Sequence, residues 1–261
     1  MALKVFLRKI KIIKMRRYAA KAVKDQEAGK NRRWTGISHG FYSVETDDNS
    51  EGSVLAQREQ IEGMEVWLFG AFDQQLGCGI TKYLQSHLFG KNLSEDKIRR
   101  KVKETMRKAY ISTRAKIQKE EEANEIGGST TALVMNGKKF VVAQLGGYRA
   151  VVCKDGVAFE IGQKYRKRTI SGLLQLKCAT SIGEHKALQS SKLVVTAQIV
   201  EADTNFIILA SDGVWEVMKY QEAVDLVSHI EDAQKAAECL AEEALARMSK
   251  ATISSIVIRF H

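Results

Sequence analysis

The chain has 261 residues, of which 44% are hydrophobic and 28% charged, as expected of one large soluble domain or two small ones. No apolar run approaches the ~18 residues of a membrane-spanning helix. Four scattered cysteines (Cys78, Cys153, Cys178 and Cys239) without a C-x-x-C speak against a zinc site or a disulfide framework and fit a reducing compartment. The net charge of +10 is confined to one end: residues 1–33 carry 12 Lys+Arg and 2 Asp+Glu, leaving 29 basic and 29 acidic residues for the rest. The neutral body lacks a basic stripe with interleaved aromatics, so nucleic acid is not an expected partner.

In chain order, residues 1–23 read as a basic amphipathic helix. Leu3, Phe6, Leu7, Ile10 and Ile13 recur at helical spacing between Lys and Arg. Three readings stay open: a solvated tail docking its apolar face on the body, attachment to an anionic membrane surface, and import or nuclear targeting. No secretory leader is legible, because the segment never settles into an uncharged apolar core. Residues 24–36 follow as a linker. The expected division is an arm and linker over 1–36 and one domain over 37–261, in an intracellular protein, cytoplasmic or nuclear.

Residues 38–63 look polar and turn-rich, with a short strand at 54–57. A strongly apolar strand follows at 65–72. A helix is expected over 79–89, ended by Gly90, with Ile80, Tyr83, Leu84 and Leu88 on one face. Ser94-Glu95-Asp96 caps a long charged helix running to about 122. An antiparallel meander comes next. Its strands are 130–135, 139–145, 148–153 and 157–161, with turns at Asn136-Gly137, Gly146-Gly147 and Lys154-Asp155-Gly156. Residues 162–190 suggest irregular structure. Strands at 193–199 and 206–210, helices at 221–230 and 232–248 and a final strand at 253–260 complete the pattern. In the second helix Ala236, Leu240, Ala244 and Met248 share a face. Runs of strands between helix pairs argue an α+β fold with antiparallel sheets.

Two strands lead from apolar residues into a carboxylate. They are Val66-Trp67-Leu68-Phe69-Gly70-Ala71-Phe72-Asp73 and Phe206-Ile207-Ile208-Leu209-Ala210-Ser211-Asp212. Gly213 would let the chain turn sharply behind Asp212. Taken singly, each aspartate reads equally well as the cap of a strand end. Taken together, they favour a site for a hard divalent cation.

The segments Phe72-Asp73, Tyr83 to Phe89, Gly127 to Ala132, Asn136 to Ala158, Ala210 to Met218 and Ile253 to Phe260 resemble, in order and spacing, the metal-dependent type 2C serine/threonine protein phosphatases, especially the plant members. The resemblance implies a central antiparallel β-sandwich flanked by pairs of α-helices. It also implies two Mg2+ or Mn2+ ions at one edge, activating a water against a phosphoserine or phosphothreonine.

Position by position, the family's Asp-Gly-His-x-Gly stands here as Asp73-Gln74-Gln75-Leu76-Gly77. Asp73 matches a metal ligand, and Gln74 could still offer its backbone carbonyl. Gln75, in place of the general-acid histidine, cannot deliver a proton, a loss of about 10²–10⁴-fold. Glu51 matches a residue that holds a metal-bound water, whereas its usual partner position is Gly52. The phosphate-gripping cation is replaced by Asp47, so no phosphate-binding residue is expected. Gly147 replaces an aspartate implicated in an extra metal site, and Lys164-Tyr165 stand for an Asp-His. Residues 166–192 are too short for the family's flap. Ala251 takes the place of a direct ligand that would act with Asp73 and Asp212. Asp73, Asp212, Gln74 and Glu51 are thus a remnant site that holds at most one weakly bound Mg2+ or Mn2+, and no cofactor is required. The expectation is an inactive phosphatase fold that binds protein partners, phosphoproteins or kinases among them, as decoy, competitor or adaptor. The alternative is a weak Mg/Mn-dependent protein serine/threonine phosphatase. Trp215 and His87 are expected to be structural, and Ser129 and Ser211 lack partners at serine-hydrolase spacing.

Overall fold

The computed structural model describes residues 36–44, 53–61, 64–72, 79–80, 82–84, 86–87, 95–121, 129–162 and 193–261. Among these residues ten strands form two five-stranded antiparallel sheets. The first contains β1 (Ile37–Val44), β6 (Arg149–Lys154), β7 (Val157–Glu160), β9 (Thr204–Ala210) and β10 (Ile253–Phe260), in the order β1-β10-β9-β6-β7. The second contains β2 (Ser53–Ile61), β3 (Met64–Phe72), β4 (Thr130–Asn136), β5 (Lys139–Leu145) and β8 (Val194–Ile199), in the order β2-β3-β4-β5-β8. Among the described residues the helices are α1 (Glu95–Glu121), the single turn α2 (Asp212–Trp215), α3 (Tyr220–Ser228) and α4 (Ala233–Ala246), and residues 79–80, 82–84 and 86–87 are helical as well.

The layering follows from the two-residue period of a strand. Trp67, Phe69 and Ala71 of β3 and Ile207 and Leu209 of β9 are buried, and they point between the sheets. Their alternates face outward under helices. Val66 and Leu68 meet Val102, Met106 and Ala109 of α1 with Ile80 and Leu84, whereas Phe206 and Ile208 meet α3 and α4. Both faces of the central strands are therefore covered, which is why their sequences are continuously apolar. On one side α4 lies unusually close, because its inner face is alanine (Ala233, Ala236, Ala237, Ala241 and Ala244) and β1 presents Gly40. A Cβ at Gly40 would overlap the Gln234 backbone. The Gln234 side chain completes the seam, accepting from Phe41 N at 3.1 Å and donating to Phe41 O at 2.9 Å.

Several expectations change. The stretch before residue 63 holds two strands rather than a short one. All of β1 pairs with β10, from Ile37↔Phe260 to Val44↔Ile253, and β2 runs nine residues beside β3. As sheet-edge strands they are only half covered, which weakens their apolar signature. The first hairpin turn is Gly137-Lys138, since Asn136 pairs with Lys139 as the last rung. The expected helix face ending in Met248 stops short, because α4 closes at Ala246. Met248 adopts φ 60° and is 82% exposed. Asp232 caps α4 through Gln234 N at 2.8 Å and Lys235 N at 3.0 Å. The arm, the helix end at Gly90 and the stretch 163–192 lie outside the described residues. Among the described residues no helix is long and apolar enough to cross a membrane.

Candidate functional site

Asp212 stands two residues beyond Ala210, the last residue of β9, at the edge of the sandwich, as its sequence setting predicts. The strand end is fixed by Ser211. Its N–H donates to Ser254 O at 3.0 Å, its hydroxyl donates to Thr252 O at 2.6 Å, and the same oxygen accepts from Ser254 N at 2.8 Å. The chain then enters α2 rather than a sharp reversal. Gly213 has no positive φ, and its role is close approach instead. A Cβ there would lie 2.6 Å from Thr252 O and 2.7 Å from Ala251 O. Asp212 and Ala251 are thereby brought to one place, the juxtaposition that the family pattern implies. Trp215 is buried and donates Nε1–H to Ala210 O at 2.9 Å, a structural role.

Two further elements meet Asp212. Ser129 stands immediately before β4, whose first residue, Thr130, pairs with Phe72 at the end of β3. The Ser129 hydroxyl donates to Asp212 Oδ2 over a long 3.4 Å and accepts from Gly147 N at 3.1 Å. The Gly146-Gly147 turn between β5 and β6 lies against the carboxylate. A Cβ at Gly147 would fall 2.5 Å from Asp212 Oδ2 and closer still to Oδ1. Gly146 adopts φ 67°, a conformation that favours glycine. Arg149 supports this turn. It donates to Gly146 O and, at 2.9 Å, to Tyr148 O, and its Nε lies 3.2 Å from Glu160 Oε1. Beside that ion pair, burial and then the Glu160 carboxylate raise the Tyr220 hydroxyl's pKa above its ordinary value.

On the far side Glu216 pins the loop that carries Ala251. Its Oε1 accepts from Ser249 Oγ and Lys250 N at 2.6 Å and from Ala251 N at 3.1 Å. Burial alone would raise its pKa, but these hydrogen bonds, with the Lys250 charge, hold it below the ordinary carboxylate value.

Asp73, Gln74, Gln75, Glu51, Gly52, Asp47, Lys164 and Tyr165 lie outside the described residues. Among the described residues no group of three or more His, Cys, Asp or Glu is placed to hold a metal. Ser129 and Glu216, which sequence reasoning passed over as functional, are the side chains that organise the site. Their one signal was membership of the Gly127–Ala132 and Ala210–Met218 segments. His87 is exposed and stacks on Tyr83, its Nδ1 3.0 Å from Tyr83 O.

The model of the family described as protein phosphatase 2C matches residues 45–171 and 172–253. The chain belongs to the protein phosphatase 2C family. It is 42% identical over 260 residues to protein phosphatase 2C-like protein 44 of Arabidopsis thaliana, covering 95% of this chain and 96% of that one. Phosphatase 2C folds among solved structures superpose on it. The serine/threonine phosphatase Stp1 of Staphylococcus aureus gives a TM-score of 0.65 at 13% identity, over 90% of this chain and 100% of that one. The catalytic domain of the phosphatase PstP, solved with two manganese ions, gives 0.61 at 17% identity, over 86% and 98%. The two packed antiparallel sheets with outer helices are therefore the phosphatase 2C sandwich, and Asp212, Gly147 and Ala251 meet at its edge.

Proposed function

We propose that this member of the phosphatase 2C family acts by binding proteins rather than by hydrolysing phosphoesters. Phosphoproteins and the kinases that act on them are the partner class, and the chain serves as decoy, competitor or adaptor. The observation that carries this reading is the edge around Asp212. Gly147 lies against one side of the carboxylate, and the backbone of Ala251, a residue with no donor side chain, lies against the neighbouring Gly213. A pair of dications needs several carboxylates to offset its charge and replace lost water. Among the described residues, Asp212, the hydroxyl of Ser129 and the donor-free Gly147 and Ala251 do not meet that demand. Gln75, Gly52 and Asp47 in the sequence support the same reading, since they remove the acid, a water-holding carboxylate and the phosphate grip.

The test is turnover of a phosphoserine or phosphothreonine peptide at millimolar Mn2+ or Mg2+, with wild type beside Asp73→Ala. The expected outcome is no metal-dependent hydrolysis and no difference between the two. Hydrolysis that Asp73→Ala abolishes would overturn the proposal in favour of a weak Mg/Mn-dependent phosphatase. The concentration of charge in residues 1–33 supports a further role for the arm, recruitment to an anionic membrane surface.

A further inference from the structure

We infer that Asp212 is held by the chain itself, as one half of a metal-independent clasp that ties the two sheets together at the site's edge. The clasp takes in both sheets. Ser129 leads into β4 of one sheet, Asp212 stands two residues beyond the end of β9 of the other, and the Gly146-Gly147 turn joins β5 of the first to β6 of the second. A serine hydroxyl has one proton to give and lone pairs to accept with. Here the proton goes to Asp212 Oδ2 at 3.4 Å, and the oxygen accepts the N–H of Gly147 at 3.1 Å. The hydroxyl thus bridges the turn and the carboxylate.

The hydroxyl-to-carboxylate bond is long and weak on its own. What fixes the arrangement is shape. A Cβ at Gly146 would lie 2.8 Å from Ser129 Cβ and closer to its Oγ. A Cβ at Gly147 would overlap the Asp212 carboxylate. Glycine at 146 is favoured by its φ of 67° and by the Ser129 backbone, and a side chain at 147 would require the Asp212 carboxylate to move. Arg149 holds the turn there through the carbonyls of Gly146 and Tyr148. On its other flank, Asp212 is backed by Gly213 packed against the Ala251 and Thr252 carbonyls. An aspartate at 147, the residue type of the family pattern, and Asp212 in its present place exclude each other. The loss at 147 is thus not a vacancy in the site: the neighbouring carboxylate and the turn have closed over it.

This inference rests on the reading that the edge holds no metal pair, but it is tested on stability rather than turnover. The experiment is a double-mutant cycle in thermal unfolding of the full chain, with chelator and with millimolar Mn2+. Gly147→Ala should lower the midpoint by roughly 2–10 °C, the overpacking response of a domain this size. In an Asp212→Ala background the same change should have little effect, because the space has been freed. Wild type should show no Mn2+-dependent rise. Additive shifts in the cycle, with no hydrolysis and no Mn2+ effect, overturn the clasp and leave the proposed function standing. A Mn2+-induced rise that Asp212→Ala removes overturns both. Should the alanine variants fail to fold, wild type alone still decides. Selective broadening of the Gly147 and Asp212 amide resonances by sub-millimolar Mn2+ overturns the clasp, and unbroadened signals are the expected result.

Discussion

The interior of β9 and the few residues beyond its end obey different rules. Phe206 to Ala210 are fully buried or nearly so, alternating between the intersheet core and the α3–α4 layer. They need only be apolar and of suitable volume, a condition many sequences meet. From Ser211 onward the chain is governed by individual atoms. These are the Ser211 hydroxyl between Thr252 and Ser254, the Asp212 carboxylate against Gly147, and the Gly213 backbone against Ala251. A fold can therefore persist while the chemistry at its edge changes, because the two depend on separate properties of the side chains.

The strongest way to break the comparison is in the core. Ile208→Ala removes a fully buried side chain under α3 and α4, and it should destabilise the chain by about 2–5 kcal/mol, read as a lowered urea midpoint. A smaller effect is expected at the edge. Arg149→Met removes the guanidinium from two carbonyls and from Glu160. It should lower stability by about 1.5–3 kcal/mol and speed amide exchange at Gly146 and Gly147 more than in β9. If exchange in β9 rises as much as at the turn, the edge and the core are one cooperative unit.

The smallest effect is a pH dependence that separates the two regions. His39 lies edge-on to Trp67 and Phe69 between the sheets, and burial lowers its pKa below the usual 6.5. Below pH 6.5 the unfolded chain takes up this proton more readily than the folded one. Stability should therefore fall as pH drops from 6.5 towards the folded value and level off below it. Glu216 at the edge has a carboxyl pKa held below its ordinary value, so its contribution should persist through that window and be lost only under more acid conditions. A urea midpoint independent of pH between 7.5 and 5, or an unchanged dependence in His39→Phe, would contradict this.

Much of the architecture was legible in the linear chain. The continuous apolar runs at 65–72 and 206–210 and the glycine turns each carry a local physical cause that survives in any context. The half-covered strands β1 and β2 were harder to see, because their stability comes from pairing with distant or opposite strands rather than from their own composition. For the site, the sequence located Asp212 and showed that Gly147 and Ala251 bring no donor.

By itself, then, the sequence determined most of the strands and helices from residue 65 onward, the buried character of the central strands, and the residue types at the family's ligand positions. Only the tertiary structure decided what Asp212 touches. Ser129 lies 83 residues away in sequence and has no partner at serine-hydrolase spacing, yet its hydroxyl faces the carboxylate. The Gly146-Gly147 turn reads in sequence as a link within one meander and as a lost aspartate position, whereas in the structure it crosses between the two sheets and lies against that same carboxylate. The physical reason is that periodicity and turn chemistry are local, whereas a contact between the ends of strands in different sheets exists only once the sheets have packed.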